Sequence, residues 1–89
     1  MRFLVVYAHP VETSFGAALH TTVVEALRAG GHEADDCDLN AEGFDPVMTR
    51  QDRVDYYDIA VNRGRVAPYV DRLLKADALV FSFPVWNIN

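Results

Sequence analysis

The run Phe3-Leu-Val-Val-Tyr-Ala8 limits what this chain can fold into more than any other stretch. Six apolar positions without polar alternation, rich in β-branched residues, read as a strand buried on both faces. Strands of that kind belong to parallel sheets covered by helices on both sides. His9-Pro10 breaks the strand, and Thr13 and Ser14 are both suitable N-caps for a helix opening at Phe15. Arg2 to Gly16 is thus a strand, a short polar turn and a helix start. A helix start leaves backbone N–H groups without acceptors, and with the helix dipole behind them they favour an anion. A phosphate-bearing ligand is the first expectation.

Downstream, Phe15, Leu19, Val23, Ala26 and Leu27 fall at helical spacing, and Gly30-Gly31 supplies a left-handed stop after Arg28. A first helix is expected over residues 14–29. Residues 32–39 stand where a second strand belongs, yet Glu33, Asp35, Asp36 and Asp38 could not be buried in a sheet centre. An edge strand accommodates them, and its charge deters edge-to-edge pairing. Residues 41–48 form a loop, Thr49 caps a short helix over residues 50–58, and residues 62–65 form another loop. Pro68 suits the first turn of a third helix, whose apolar stripe is Val66, Val70, Leu73 and Leu74. Ala78-Leu-Val-Phe-Ser-Phe83 is a second apolar strand, closed by Pro84-Val-Trp-Asn-Ile-Asn89.

Alternating strands and helices with right-handed crossovers give an α/β fold. One acidic edge and two apolar strands give the strand order 2-1-3. That is the first half of a flavodoxin-like three-layer sandwich with a parallel sheet. Ligands in such sheets bind beyond the carboxyl ends of the strands, here the loops after Ala8 and after Phe83.

At 89 residues there is room for one small domain. A content of 51% hydrophobic and 24% charged residues marks a folded chain rather than a disordered one. The net charge of −5, with scattered Lys and Arg, argues against nucleic acid as a partner. Cys37 is the single cysteine, so no internal disulfide forms. No apolar run approaches the roughly 18 residues of a membrane span. A cytoplasmic protein without membrane insertion is expected.

Val6-Tyr-Ala-His-Pro10 followed by Thr13-Ser-Phe-Gly-Ala-Ala-Leu19 resembles the flavin-dependent NAD(P)H:quinone oxidoreductase family. So do Asp38-Leu-Asn40, Gly43-Phe-Asp-Pro-Val-Met48 and Ala76-Asp-Ala-Leu-Val-Phe-Ser-Phe-Pro-Val-Trp86, in order and at matching spacing. The resemblance implies a flavodoxin-like fold, FAD or FMN as cofactor, NAD(P)H as co-substrate, a quinone-like acceptor and a homodimer in the full-length form. It places the first flavin-phosphate loop on His9, Thr13, Ser14, Phe15 and Gly16. The segment along the flavin ring falls on Val85, Trp86, Asn87 and Ile88. Trp86-Asn87 replaces the two consecutive aromatics of many members and matches related azoreductases, which leaves FMN beside FAD. Family members are about twice this length or more, so residues 1–89 are expected to be one partial domain, truncated after the third strand. The residues credited with assisting hydride transfer fall outside it, and no catalytic acid or base is identified within it.

Other readings compete. His9 could merely cap its strand, and Trp86 could be a core or interface aromatic. His20, mid-helix, and His32, after the glycine stop, are expected to face solvent. Cys37 is read as a bystander, and Asp35, Asp36 and Asp38 as a solvated edge rather than a metal site. A G-x-S-x-G elbow is absent, which disfavours hydrolysis. The paired acidic residues of a phosphoacceptor receiver are absent after the first strand. A non-catalytic fragment, or an ancillary subunit of the potassium-efflux type, is the alternative to an enzyme.

Overall fold

A computed structural model describes residues 1–9 and 13–83 of the chain. The elements follow the order β1 (Arg2–Tyr7), α1 (Phe15–Ala29), β2 (Glu33–Asp38), α2 (Arg50–Val54), α3 (Ala67–Lys75) and β3 (Ala78–Ser82). They form two compact units, one of Met1–Phe44 with the segment from Ala76 onward, the other Asp45–Lys75.

The first unit holds a parallel three-stranded sheet in the order β2-β1-β3, as the acidic edge and two apolar strands lead one to expect. β1 is central. Its Val5 lies level with Asp36 of β2 and Val80 of β3, and Tyr7 with Asp38 and Ser82. Residues level in register share a face of the sheet, and faces alternate along each strand. One face therefore carries Phe3, Val5, Tyr7, Asp36 and Asp38; the other carries Leu4, Val6 and Cys37. Asp77 anchors the start of the β1–β3 pair: its carboxylate accepts from the Arg2 N–H at 2.7 Å, and its own N–H donates to the Arg2 carbonyl at 2.8 Å.

Leu4, Val5, Tyr7, Val24 and Cys37 are buried, so the core centres on β1. Cys37, read from sequence as a bystander on an edge, is a core side chain, since its strand position turns it to the face of Leu4 and Val6. α1 packs against β2. Its buried line is His20 and Val24, flanked by half-buried Ala17, Val23 and Leu27. The stripe read from sequence was rotated: Phe15, Leu19 and Ala26 are exposed. Apolar spacing alone did not reveal that a histidine takes a core position. α1 ends as its glycines dictate. The N–H of His32 donates to Leu27 and that of Gly31 to Arg28, with Gly31 at φ 83°. His32 is half-buried rather than solvent-facing, edge-on to Phe3 at 5.2 Å between ring centroids.

In the second unit, α2 stops at Val54, short of the expected Asp58, because Asp55 becomes its C-cap and turns continue from there. Thr49 and Asp52 form a reciprocal capping box at its start. Arg65 ties the unit together, donating to the carbonyls of Asp45 (3.0 Å) and Val47 (3.1 Å) and to the Asp52 carboxylate (2.6 Å). Leu73 and Leu74 of α3 are exposed, while Val66 and Val70 are half-buried.

The backbone N–H of Thr49, and then the Arg65 guanidinium, hold the Asp52 carboxyl below the usual aspartate range. A group whose folded pKa is depressed stabilises fully above its unfolded pKa, and the contribution is lost as pH falls through the lowered folded value. Protection of the amides of residues 49–53, taken relative to their intrinsic exchange rates, is therefore expected to fall at acid pH, below the ordinary aspartate range, and Asp52→Asn is expected to abolish that dependence. Equal acid sensitivity in the variant would refute the assignment.

Candidate functional site

At the carboxyl end of β1, Ala8 continues the ladder by donating to the Ser82 carbonyl at 3.0 Å, and His9 follows half-buried. Ser14 is the N-cap of α1, with extended backbone (φ −73°, ψ 163°), and its Oγ accepts from the Ala17 N–H at 3.0 Å. This settles which of the two hydroxyl residues caps: Thr13 lies exposed in the turn before it. Capping Ala17 leaves the amides of Phe15 and Gly16 as first-turn groups that the helix itself cannot satisfy. Gly16 sits beside His9: a Cβ there would lie 3.6 Å from His9 Cδ2 and 3.7 Å from Ser14 Oγ. His9, Ser14 and Gly16 thus converge on one turn, and Phe15, 79% exposed, flanks it. Donor hydrogens, a helix N-terminus and a residue without a side chain fit a phosphate group. Val85, Trp86, Asn87 and Ile88 lie outside the described residues.

Next to the turn, between α1 and the end of β2, is a cavity of about 370 Å³. Tyr7, His9, His20, Thr21, Asp38 and Asn40 line it, together with Ala17 and Ala41. Here the sequence reading of His20 is overturned. Its side chain is only 9% exposed, stacked on the Tyr7 ring with centroids 4.1 Å apart and planes 20° apart. Its Nε2 lies 2.8 Å from Asp36 Oδ1, and because a carboxylate only accepts, that nitrogen carries the proton. Helical spacing contained the signal, since His20 stands four residues after Gly16 and four before the buried Val24. Asp36 and Asp38, two apart on β2, face the same side as Tyr7, so the acidic strand is more than a solvated edge. Among the described residues no group of three or more His, Cys, Asp or Glu is placed to hold a metal ion. No helix among them is long and apolar enough to cross a membrane.

A parallel sheet in the order 2-1-3, with a helix start at the carboxyl end of the central strand, defines the first half of a doubly wound α/β fold. The chain belongs to the flavodoxin-like fold family, which it matches over residues 1–89. It is 33% identical over 101 residues to NAD(P)H dehydrogenase [quinone] 1 of Rattus norvegicus, covering 96% of this chain and 37% of the rat protein. Among solved structures, the NAD(P)H:quinone oxidoreductase from Methanothermobacter marburgensis superimposes with a TM-score of 0.81 at 26% identity. That match covers 97% of this chain and 45% of the archaeal one. Smu.1420 from Streptococcus mutans UA159 superimposes with a TM-score of 0.73 at 36% identity, over 97% of this chain and 45% of its own. The chain therefore spans less than half the length of these relatives.

Proposed function

We propose that this chain is the N-terminal, flavin-holding part of an NAD(P)H oxidoreductase that reduces quinones or similar acceptors. In this reading the full-length protein is a cytoplasmic homodimer holding FAD or FMN. The observation that supports it most is the convergence of His9, Ser14 and Gly16 on one turn at the carboxyl end of the central strand. The kinship with proteins named for this activity supports reading the turn's ligand as a flavin phosphate.

His9 donates to a phosphate oxygen, Thr13 offers a hydroxyl, and the N–H groups of Phe15 and Gly16 bind the remaining oxygens. Ser14 holds the helix start in place by capping Ala17. Gly16 keeps the approach open. By the same family resemblance, Val85, Trp86, Asn87 and Ile88 would supply backbone amides and an apolar wall for the ring. A bound flavin would take hydride from NAD(P)H and pass reducing equivalents to the acceptor, while the protein binds and orients it.

Titrating the chain into FMN or FAD and following flavin fluorescence tests this. Saturable quenching is expected, weakened about tenfold or more by His9→Ala, the loss of a donor to a charged oxygen. Absence of quenching by a chain whose circular dichroism shows it folded would overturn the reading.

A further inference from the structure

Two features of the cavity beside the phosphate turn are left unexplained by that turn. Tyr7 Oη and His20 Nδ1 are buried polar atoms with no hydrogen-bond partner, and both residues line the cavity. The rings are nearly parallel and stacked, so the two atoms do not satisfy one another. Leaving buried polar atoms unpaired costs stability, and such atoms are uncommon in folded proteins. The second feature is Asp38, the last residue of β2. It uses Oδ1 to accept from the Ala41 N–H at 3.2 Å, which leaves the carboxylate further acceptor capacity toward the cavity it lines. Asn40 and Thr21 add groups that both donate and accept.

A carboxylate at the carboxyl end of the second strand, one helix start away from a phosphate turn, has the chemistry of ribose recognition. It accepts from the hydroxyls of a vicinal diol whose 5′-phosphate lies at the turn. The cavity volume, about 370 Å³, is at the size of a small-ligand site. His9 lines both the turn and the cavity, which makes them continuous.

We propose that the cavity lined by Tyr7, His20 and Asp38 is a ribose subsite, taking the vicinal hydroxyls of an adenosine-type nucleotide. This rests on the reading of His9, Ser14 and Gly16 as a phosphate site. The diol belongs either to the adenylate half of FAD or to a separate adenine nucleotide. An open-chain ribityl, as in FMN, presents related hydroxyls and is the competing occupant.

The test measures binding of adenosine 5′-monophosphate, its 2′,3′-dideoxy analogue, FMN and FAD to the full chain by calorimetry. AMP is expected to bind saturably and the dideoxy analogue at least tenfold more weakly. Asp38→Ala is expected to weaken AMP about tenfold and leave FMN unchanged. Loss of FAD affinity in parallel with AMP assigns the diol to FAD; FAD affinity unchanged by the substitution assigns it to a separate nucleotide. Tyr7→Phe removes one unpaired oxygen and keeps the ring. It is expected to hold or raise the melting temperature while lowering AMP affinity about three- to tenfold, the worth of one hydrogen bond. AMP binding that ignores the diol, or an Asp38→Ala effect on FMN as large as on AMP, overturns the proposal even if flavin binds. AMP binding with diol discrimination but no flavin binding would uphold the subsite and refute the flavin reading instead.

Discussion

Val5→Asp is expected to prevent the sheet from forming. Val5 is 0% exposed, at the centre of the central strand. In register it is level with Asp36 on one side and Val80 on the other. A carboxylate there would lose its water without gaining a cation, and it would stand beside the like charge of Asp36 on the same face. An unpaired buried charge costs several kcal/mol at the least, against a total stability of about 5–15 kcal/mol for an ordinary domain. The expected result is loss of the cooperative thermal transition by circular dichroism. Val5→Ala separates charge from size: it should keep a transition while losing about 2 kcal/mol from lost burial and the cavity left behind. A Val5→Asp protein melting within a few degrees of the parent would show that β1 is not the centre of the core.

The second large effect is expected at Asp36. Asp36→Ala takes the acceptor from His20 Nε2, 2.8 Å away, and leaves a buried N–H without a partner. His20 Nδ1 is already unpaired, so the ring would then have neither nitrogen satisfied. The cost is about 1–3 kcal/mol, visible as a lower urea midpoint. Asp36→Ala combined with His20→Leu is expected to recover much of it, because the double change removes donor and acceptor together. If the two substitutions added independently, the pair would not be an energetic unit.

His20 also marks where the sequence stopped being informative. β1, β3, the α1 cap and the glycine stop were legible because each rests on local chemistry: a β-branched run, a serine before a helix, a glycine at positive φ. The strand order was legible from charge, since four acidic side chains could only stand at an edge. The apolar stripe of α1 was misread because Phe15 and Leu19 are good helix-face residues that happen to be exposed, while a histidine is core only by virtue of its partners. Those partners, Tyr7 and Asp36, come from two different strands. Helical and strand periods do not encode such a meeting; the register of a parallel pair does. The grouping of His9, Ser14 and Gly16 at the start of α1 was legible from local chemistry, but the cavity beside it was not, since Asp38 and Asn40 reach it only after β2 has paired with β1.

The strand order also sets a sequence of events during synthesis. β1 is made first and finds β2 soon afterwards, across a single helix. Its other edge stays open until Ala78–Ser82 has left the ribosome, at rates of about 5–20 residues per second. For a period on the order of seconds the most apolar strand in the chain exposes unpaired N–H and C=O groups, a template for any passing strand. The bond that closes this window is local to the start of β3, where Asp77 grips Arg2 through both its backbone and its side chain. A slow or paused passage between β2 and β3 would lengthen the exposure without altering a single contact in the finished fold.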